Sequence, residues 1–253
     1  MAGEKQINMN QRLKDIFRYC LLKTLGASAF ARWLEWRKLL KWLNPQKGEK
    51  VLDIACGDGE LSLRIASKGA SVYGLDMSAP GIASAKRLAA MAKINCEFTV
   101  GDAERLPYAD GYFTGIVCSS SLEHFINDAQ SLDEMKRVLK PGGRAVLTVD
   151  SFTYPISPEL KERHRKMCAV AHYYTREDME RALRNAGLTM FRSEYLLTSG
   201  LTSFFIKFWI KHNRLNNLFI LITFLSPLML LSDNIFGKKN RGYTLIVEAV
   251  KNS

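Results

Sequence analysis

Val51-Leu-Asp-Ile-Ala-Cys-Gly-Asp-Gly-Glu60 reads as a buried strand, a tight turn of small residues and the start of a helix over 60–68. A glycine turn at a helix N-terminus lets backbone approach a ligand closely and aims N–H groups at it. About twenty residues on, a second strand ends in an acid, Val72-Tyr-Gly-Leu-Asp76. An acid at that distance suits a ribose with two free hydroxyls. The pattern points to an adenosine-containing ligand.

Working outward, strands and helices alternate. Strand 71–76 leads to helix 79–92, strand 95–100 to a loop rich in acids and proline, and strand 113–119 to helix 128–140. Lys140-Pro-Gly-Gly143 closes that helix, and strand 144–150 follows. This alternation is the signature of a parallel sheet covered by helices on both faces. Residues 151–172 break the rhythm: Pro155 and Pro158 suggest a loop, followed by a basic segment, Lys161 to Lys166. Thr175-Arg-Glu-Asp178 reads as a capping box opening helix 176–186, stopped at Gly187. Strands are expected at 188–195 and 243–250. Upstream, apolar spacing predicts helices over 10–26 and 28–43.

The 253-residue chain is 47% hydrophobic and 24% charged, as expected of one folded α/β domain with additions. Its five cysteines are scattered and its four histidines dispersed, so reduced thiols and no metal site are expected. The first fifteen residues are polar and charged, unlike a cleaved signal peptide. The formal net charge of +11 is uneven. Residues 1–50 hold 11 Lys/Arg and 4 Asp/Glu, 51–200 hold 18 and 19, and 201–241 hold 6 and 1. All of the excess lies in the two flanks, which suggests an anionic partner there.

Residues 196–242 are unusually apolar for a connection between strands. They contain Phe204, Phe205, Phe208 and Trp209, then Leu218-Phe-Ile-Leu-Ile-Thr-Phe-Leu-Ser-Pro-Leu-Met-Leu-Leu231. A spanning helix needs roughly 20 apolar residues, so this run suits an interfacial segment better. Lys207, Lys211, Arg214, Lys238, Lys239 and Arg241 bracket it, with stems long enough to reach headgroups. A second small core or a dimer face would explain the same composition. A nucleic-acid partner is not expected, because the basic flanks carry an apolar run in place of a polar, phosphate-binding groove.

Four segments together resemble the class I S-adenosylmethionine-dependent methyltransferases over about residues 48–250. They are Val51 to Gly59, Gly74-Leu-Asp76, Gly101-Asp-Ala-Glu-Arg-Leu-Pro-Tyr108 and Leu139-Lys-Pro-Gly-Gly-Arg-Ala-Val-Leu147. The resemblance implies a Rossmann-like, doubly wound seven-stranded sheet with the last strand antiparallel. It divides the chain into an N-terminal helical cap (1–47), a cofactor domain (48–195 plus 243–253) and a helical apolar insertion (196–242). The implied cofactor is S-adenosylmethionine, with Asp53, Ala55, Gly57, Gly59, Asp76, Met77, Asp102, Ala103 and Ser119 as its candidate contacts.

Asp53 would accept from the cofactor amino group or hold the turn, Asp76 would take the ribose, and Asp102 and the Ala103 N–H would address adenine. Met77 and Leu106 would sandwich the ring. Ala55 stands where the family often has glycine, so strand-like backbone is expected there. His124, after the fourth strand in Cys118-Ser-Ser-Ser-Leu-Glu-His124, and His172 are the candidate general bases. The expected acceptor is a lipophilic small molecule. The chain would then be cytoplasmic and peripheral on the inner face of a membrane, docked through the insertion and the N-terminal helices; a homodimer is an alternative use of the apolar segment. Partial resemblance to quinone-biosynthesis C-methyltransferases and phospholipid N-methyltransferases fits this without choosing between them.

Overall fold

A computed structural model describes residues 30–212 and 226–252. The expected helix over 10–26 lies outside them. The described chain runs α1 (Phe30–Leu43), β1 (Lys50–Ile54), α2 (Glu60–Ala66), β2 (Ser71–Asp76), α3 (Ala79–Ala92), β3 (Glu97–Val100) and β4 (Phe113–Ser119). It continues with a short 3-10 turn (Leu122–His124), α4 (Asp128–Val138), β5 (Leu139–Asp150), α5 (Pro158–Cys168) and α6 (Arg176–Asn185). The last elements are β6 (Leu188–Leu196), α7 (Gly200–Lys211), α8 (Ser226–Phe236) and β7 (Thr244–Lys251).

The strands form one sheet in the order β3-β2-β1-β4-β5-β7-β6. β1 to β5 are mutually parallel, and β7 runs antiparallel to both β5 and β6. This is the expected doubly wound sheet with an antiparallel last strand. The order reverses beside β1, so the C-terminal ends of β1 and β4 border the crevice where open α/β sheets bind ligands.

Side-chain alternation explains the two layers. Val51, Val117, Val146 and Ile246 face α1, whose Trp36, Leu39, Trp42 and Leu43 cover them. Their neighbours Leu52, Ile54, Ile116 and Leu147 face the opposite way, toward Leu132, Met135 and Val138 of α4 and Met179 and Leu183 of α6. The period of two along each strand thus supplies both cores. Each such fully buried aliphatic side chain stabilises the fold by about 1.5–3 kcal/mol.

Two local readings are corrected. Residues 158–168 form helix α5 rather than a loop: Ser157 caps it by accepting the Leu160 N–H, and Pro158 occupies the first turn. Proline at that position starts helices, because its missing N–H would have no helical partner anyway. The helix over 128–140 ends at Val138, and Lys140 to Gly143 form an irregularity inside β5. The register jumps there from Phe113↔Leu139 to Gly115↔Arg144. The capping box is present, with Thr175 and Asp178 bonding each other's backbone N–H.

Candidate functional site

The turn after β1 is built from left-handed residues: Ala55 (φ 56°), Gly57 (φ 56°) and Gly59 (φ 78°). Gly59 is also sterically required, since a Cβ there would sit 2.8 Å from the Ala85 Cβ and 2.9 Å from the Phe98 ring. At Gly57 a Cβ would meet nothing within 4 Å; the position opens onto a cavity. Ala55 therefore departs from the expected strand-like backbone. The turn needs a left-handed residue directly after Ile54, and alanine accepts it at a cost of about 1–2 kcal/mol.

Asp76, ending β2, ties this turn down. Its Oδ2 accepts the Gly57 N–H at 2.7 Å and its Oδ1 the Ser78 N–H at 2.7 Å. Both oxygens keep a second lone pair. Met77 follows it, 73% exposed, and Val100, the register partner of Asp76 on β3, is 51% exposed. Two large apolar side chains thus lie uncovered at adjacent strand ends. Leu106, expected beside Met77, is instead buried in the core, its N–H bonded to Glu134. Asp102 is exposed and caps its own turn through the Glu104 N–H, while Ala103 is buried behind it.

Asp53 is buried and accepts from the Ser62 hydroxyl at 2.5 Å. Burial, reinforced by the nearby Asp76 carboxylate, pushes its carboxyl up to about 7, against the pull of the Ser62 hydrogen bond. Ser119, at the end of β4, receives the Trp36 indole N–H at 3.0 Å. Its neighbour Ser120 donates to Glu35 Oε2 at 2.8 Å. α1 is thereby fastened to the ligand-binding end of the sheet by two side chains.

A cavity of about 470 Å3 joins the turn, Asp53, Ser119 and α1, while Gly59, Asp76, Met77, Asp102 and Ala103 stand outside its lining. One end is walled by the turn from Asp53 to Asp58 and by Ser119 to Ser121; the other by Phe205, Ile206 and Trp209 of α7 and Met229 of α8. Between them stand four groups that sequence reasoning passed over: Glu35, Glu123, Asp150 and His164. Glu35 and Glu123 are buried and their carboxyls are raised by that burial. Asp150 is pushed up to about 7 by burial and by Glu35. Burial, helped by His124, holds the His164 imidazole down to about 4, so it is neutral at physiological pH.

His124 lines the cavity, with Nδ1 3.2 Å from the Ala169 carbonyl. His172 does not: its Nε2 pairs with Asp128 at 3.1 Å and its ring packs against Tyr174. As a base at this cavity His172 is therefore withdrawn. The acid at the end of β5, Asp150, and the glutamate next to His124 carried a usable signal, since strand ends on this side face the ligand.

A family described as a methyltransferase domain matches residues 52–147. Residues 52–147 are a class I methyltransferase domain. The demethylmenaquinone methyltransferase of Corynebacterium kroppenstedtii is 40% identical over 124 residues, covering 49% of this chain and 51% of that protein. The Thermus thermophilus demethylmenaquinone methyltransferase is 36% identical over 133 residues, covering 51% and 60%. The chain thus spans about half the length of these curated relatives. A geranyl diphosphate methyltransferase solved with S-adenosylmethionine superposes with a TM-score of 0.65 at 16% identity, over 86% of this chain and 84% of that one. The features above fit S-adenosylmethionine as a ligand: an open Gly57, a carboxylate with spare lone pairs at Asp76, and apolar walls at Met77 and Val100.

Proposed function

We propose that the protein transfers a methyl group from S-adenosylmethionine to a lipophilic acceptor that enters from a membrane. One observation carries the reading: a single cavity is lined at one end by the cofactor turn and at the other by the apolar insertion. In this reading 48–195 with 243–253 holds the cofactor, 1–47 caps the site and 196–242 is the acceptor's doorway. Asp53, Ala55, Gly57, Gly59, Asp76, Met77, Asp102, Ala103 and Ser119 surround the cofactor, and His124 remains a candidate base on the cavity wall.

S-adenosylmethionine supplies a methyl group already activated by its sulfonium. The protein's own task is to hold the acceptor in line, exclude water and receive a proton where the acceptor carries one. The names of the relatives favour a quinone precursor among lipophilic acceptors.

Membrane docking is supported by the outer side of the insertion. Phe204, Leu228, Leu231, Ile235 and Phe236 are all exposed there, next to Lys207, Lys211, Lys238, Lys239 and Arg241. Apolar anchors beside cations suit an anionic lipid surface. Among the described residues no helix is long and apolar enough to cross a membrane. The test is flotation with anionic vesicles at low salt, followed by incubation with labelled S-adenosylmethionine and a total lipid extract. Protein that floats and labels a lipid supports the reading. Protein left in solution that labels only a water-soluble product replaces it with a soluble-metabolite enzyme whose insertion is a lid.

A further inference from the structure

Glu123, Asp150 and His164 line the same cavity yet belong to no cofactor contact. Glu123 is 0% exposed; its Oε1 accepts the Asp150 N–H at 3.2 Å, and its Oε2 has no hydrogen-bond partner in the protein. A buried carboxyl oxygen without a donor costs about 1–3 kcal/mol or more. His164 is 4% exposed. Its Nδ1 lies 3.0 Å from the Tyr173 hydroxyl, whose oxygen is also 3.3 Å from the Lys161 carbonyl. Nε2 stands 3.9 Å from Asp150 Oδ2, too far for a hydrogen bond, and a neutral imidazole makes no ion pair there.

Two carboxyls and an imidazole therefore line the cavity together, and Glu123 Oε2 meets no hydrogen-bond partner in the protein. Arg32 is the one Lys or Arg among the described lining residues, and its charge acts on Glu35. Phe152, Trp209 and Tyr243 complete the wall, Phe152 lying 4.3 Å from the His164 ring. Carboxyls seeking donors, with aromatic faces beside them, match the chemistry of an ammonium group: several N–H donors radiating from one positive centre. A phenol or alcohol offers a single O–H and no charge.

We propose that this end of the cavity is a subsite for a protonated amine, so that the methyl acceptor is an amine carried on an apolar body. The inference rests on the methyltransferase reading above and assigns its lipophilic acceptor as an amine in place of the quinone precursor that the relatives' names favour. The ammonium nitrogen must lose a proton before its lone pair can form a bond to carbon. Asp150, raised to about 7 and on the same cavity wall, is the group placed to take that proton. The amine can belong to a lipid headgroup or to a free alkylamine, which share this chemistry.

The test titrates the full chain, first loaded with S-adenosylhomocysteine, with hexylamine, 1-hexanol and hexanoate at pH 8. Fluorescence of the tryptophans, two of which line the cavity, is the readout. Hexylamine is expected to bind about tenfold more tightly than 1-hexanol, the ratio expected of one charge-assisted hydrogen bond. Asp150→Asn and Glu123→Gln, checked for a native thermal transition, should each shrink that ratio. Equal binding of hexylamine and hexanol by the wild-type protein, or tightest binding of hexanoate, overturns the proposal without any variant. Failure of S-adenosylhomocysteine itself to bind overturns instead the reading on which it rests. Label transferred from S-adenosylmethionine to phosphatidylethanolamine vesicles identifies a headgroup source, and label in hexylamine a free amine. Label found only in a dihydroxynaphthalene and in neither amine rejects the subsite.

Discussion

Trp36 of α1 donates its indole N–H to Ser119 at the end of β4, across 83 residues of sequence. Glu35, one residue earlier, takes the Ser120 hydroxyl. The helix ahead of the methyltransferase domain is thus part of the cavity wall. Replacing Trp36 with Phe keeps the apolar contact and removes the donor. The expected result is a loss of about 1 kcal/mol in stability together with a rise in acceptor KM at nearly unchanged S-adenosylhomocysteine affinity. Denaturant titration and calorimetric binding check both halves.

Asp76 holds Gly57 and faces the place assigned to the ribose. Asp76→Ala should weaken S-adenosylhomocysteine binding by about tenfold or more, since charge-assisted bonds are worth roughly 1.5–3 kcal/mol each. Gly57→Val should do the same by filling the open space at a left-handed position, with a further cost in stability. Isothermal calorimetry on both variants reads the effect.

Asp53 gives a pH signature. Its folded carboxyl, at about 7, lies above the unfolded value of about 3.8, so the folded protein binds the proton more tightly. Its contribution therefore favours folding at low pH and is lost as pH rises from about 4 to about 7. Asp53→Asn cannot ionise and still accepts from Ser62. The melting temperature of the variant relative to wild type should rise between about pH 4 and about pH 7 and level off above that; a constant difference would refute the assignment.

Arg137 secures the loop between β3 and β4. It bonds the Leu106 and Tyr108 carbonyls at 3.0 and 2.7 Å and pairs with Asp110 and Glu134. Glu134, in turn, accepts the Leu106 N–H. Arg137→Ala should cost about 2–3 kcal/mol, mostly through the buried carbonyls left without donors. Because the loop carries Asp102 and Ala103, it should also loosen S-adenosylhomocysteine binding. Chemical denaturation and hydrogen exchange over residues 101–112 test this.

Much of the frame was legible because it is local. The turn at 51–59, the acid at 76 and the capping box at 175–178 each depend on residues within a few positions of one another. The acceptor side was hard to read because its members come from many distant segments of the chain. Glu35 sits in a helix dominated by tryptophans and reads as an ordinary surface charge until Ser120, Thr148 and Thr244 surround it. His164 was hidden because Pro158 was taken as a break, while the structure uses it as a helix start. His172, beside two tyrosines, read as a candidate base on a par with His124, but its Nε2 pairs with Asp128. Ala55 misled in the opposite sense, since turn closure overrode a side-chain preference of only about 1 kcal/mol.

The sheet order carries a consequence for how the site comes into being. β6 leaves the ribosome before β7, yet it has no strand to bond until β7 arrives between it and β5. Tyr243 and Thr244, at the start of β7, line the cavity. A nascent chain can therefore shape the cofactor turn early while the acceptor chamber lacks a wall. The chamber closes only when β7 is in place, so a ligand can be enclosed there only once synthesis has passed residue 244.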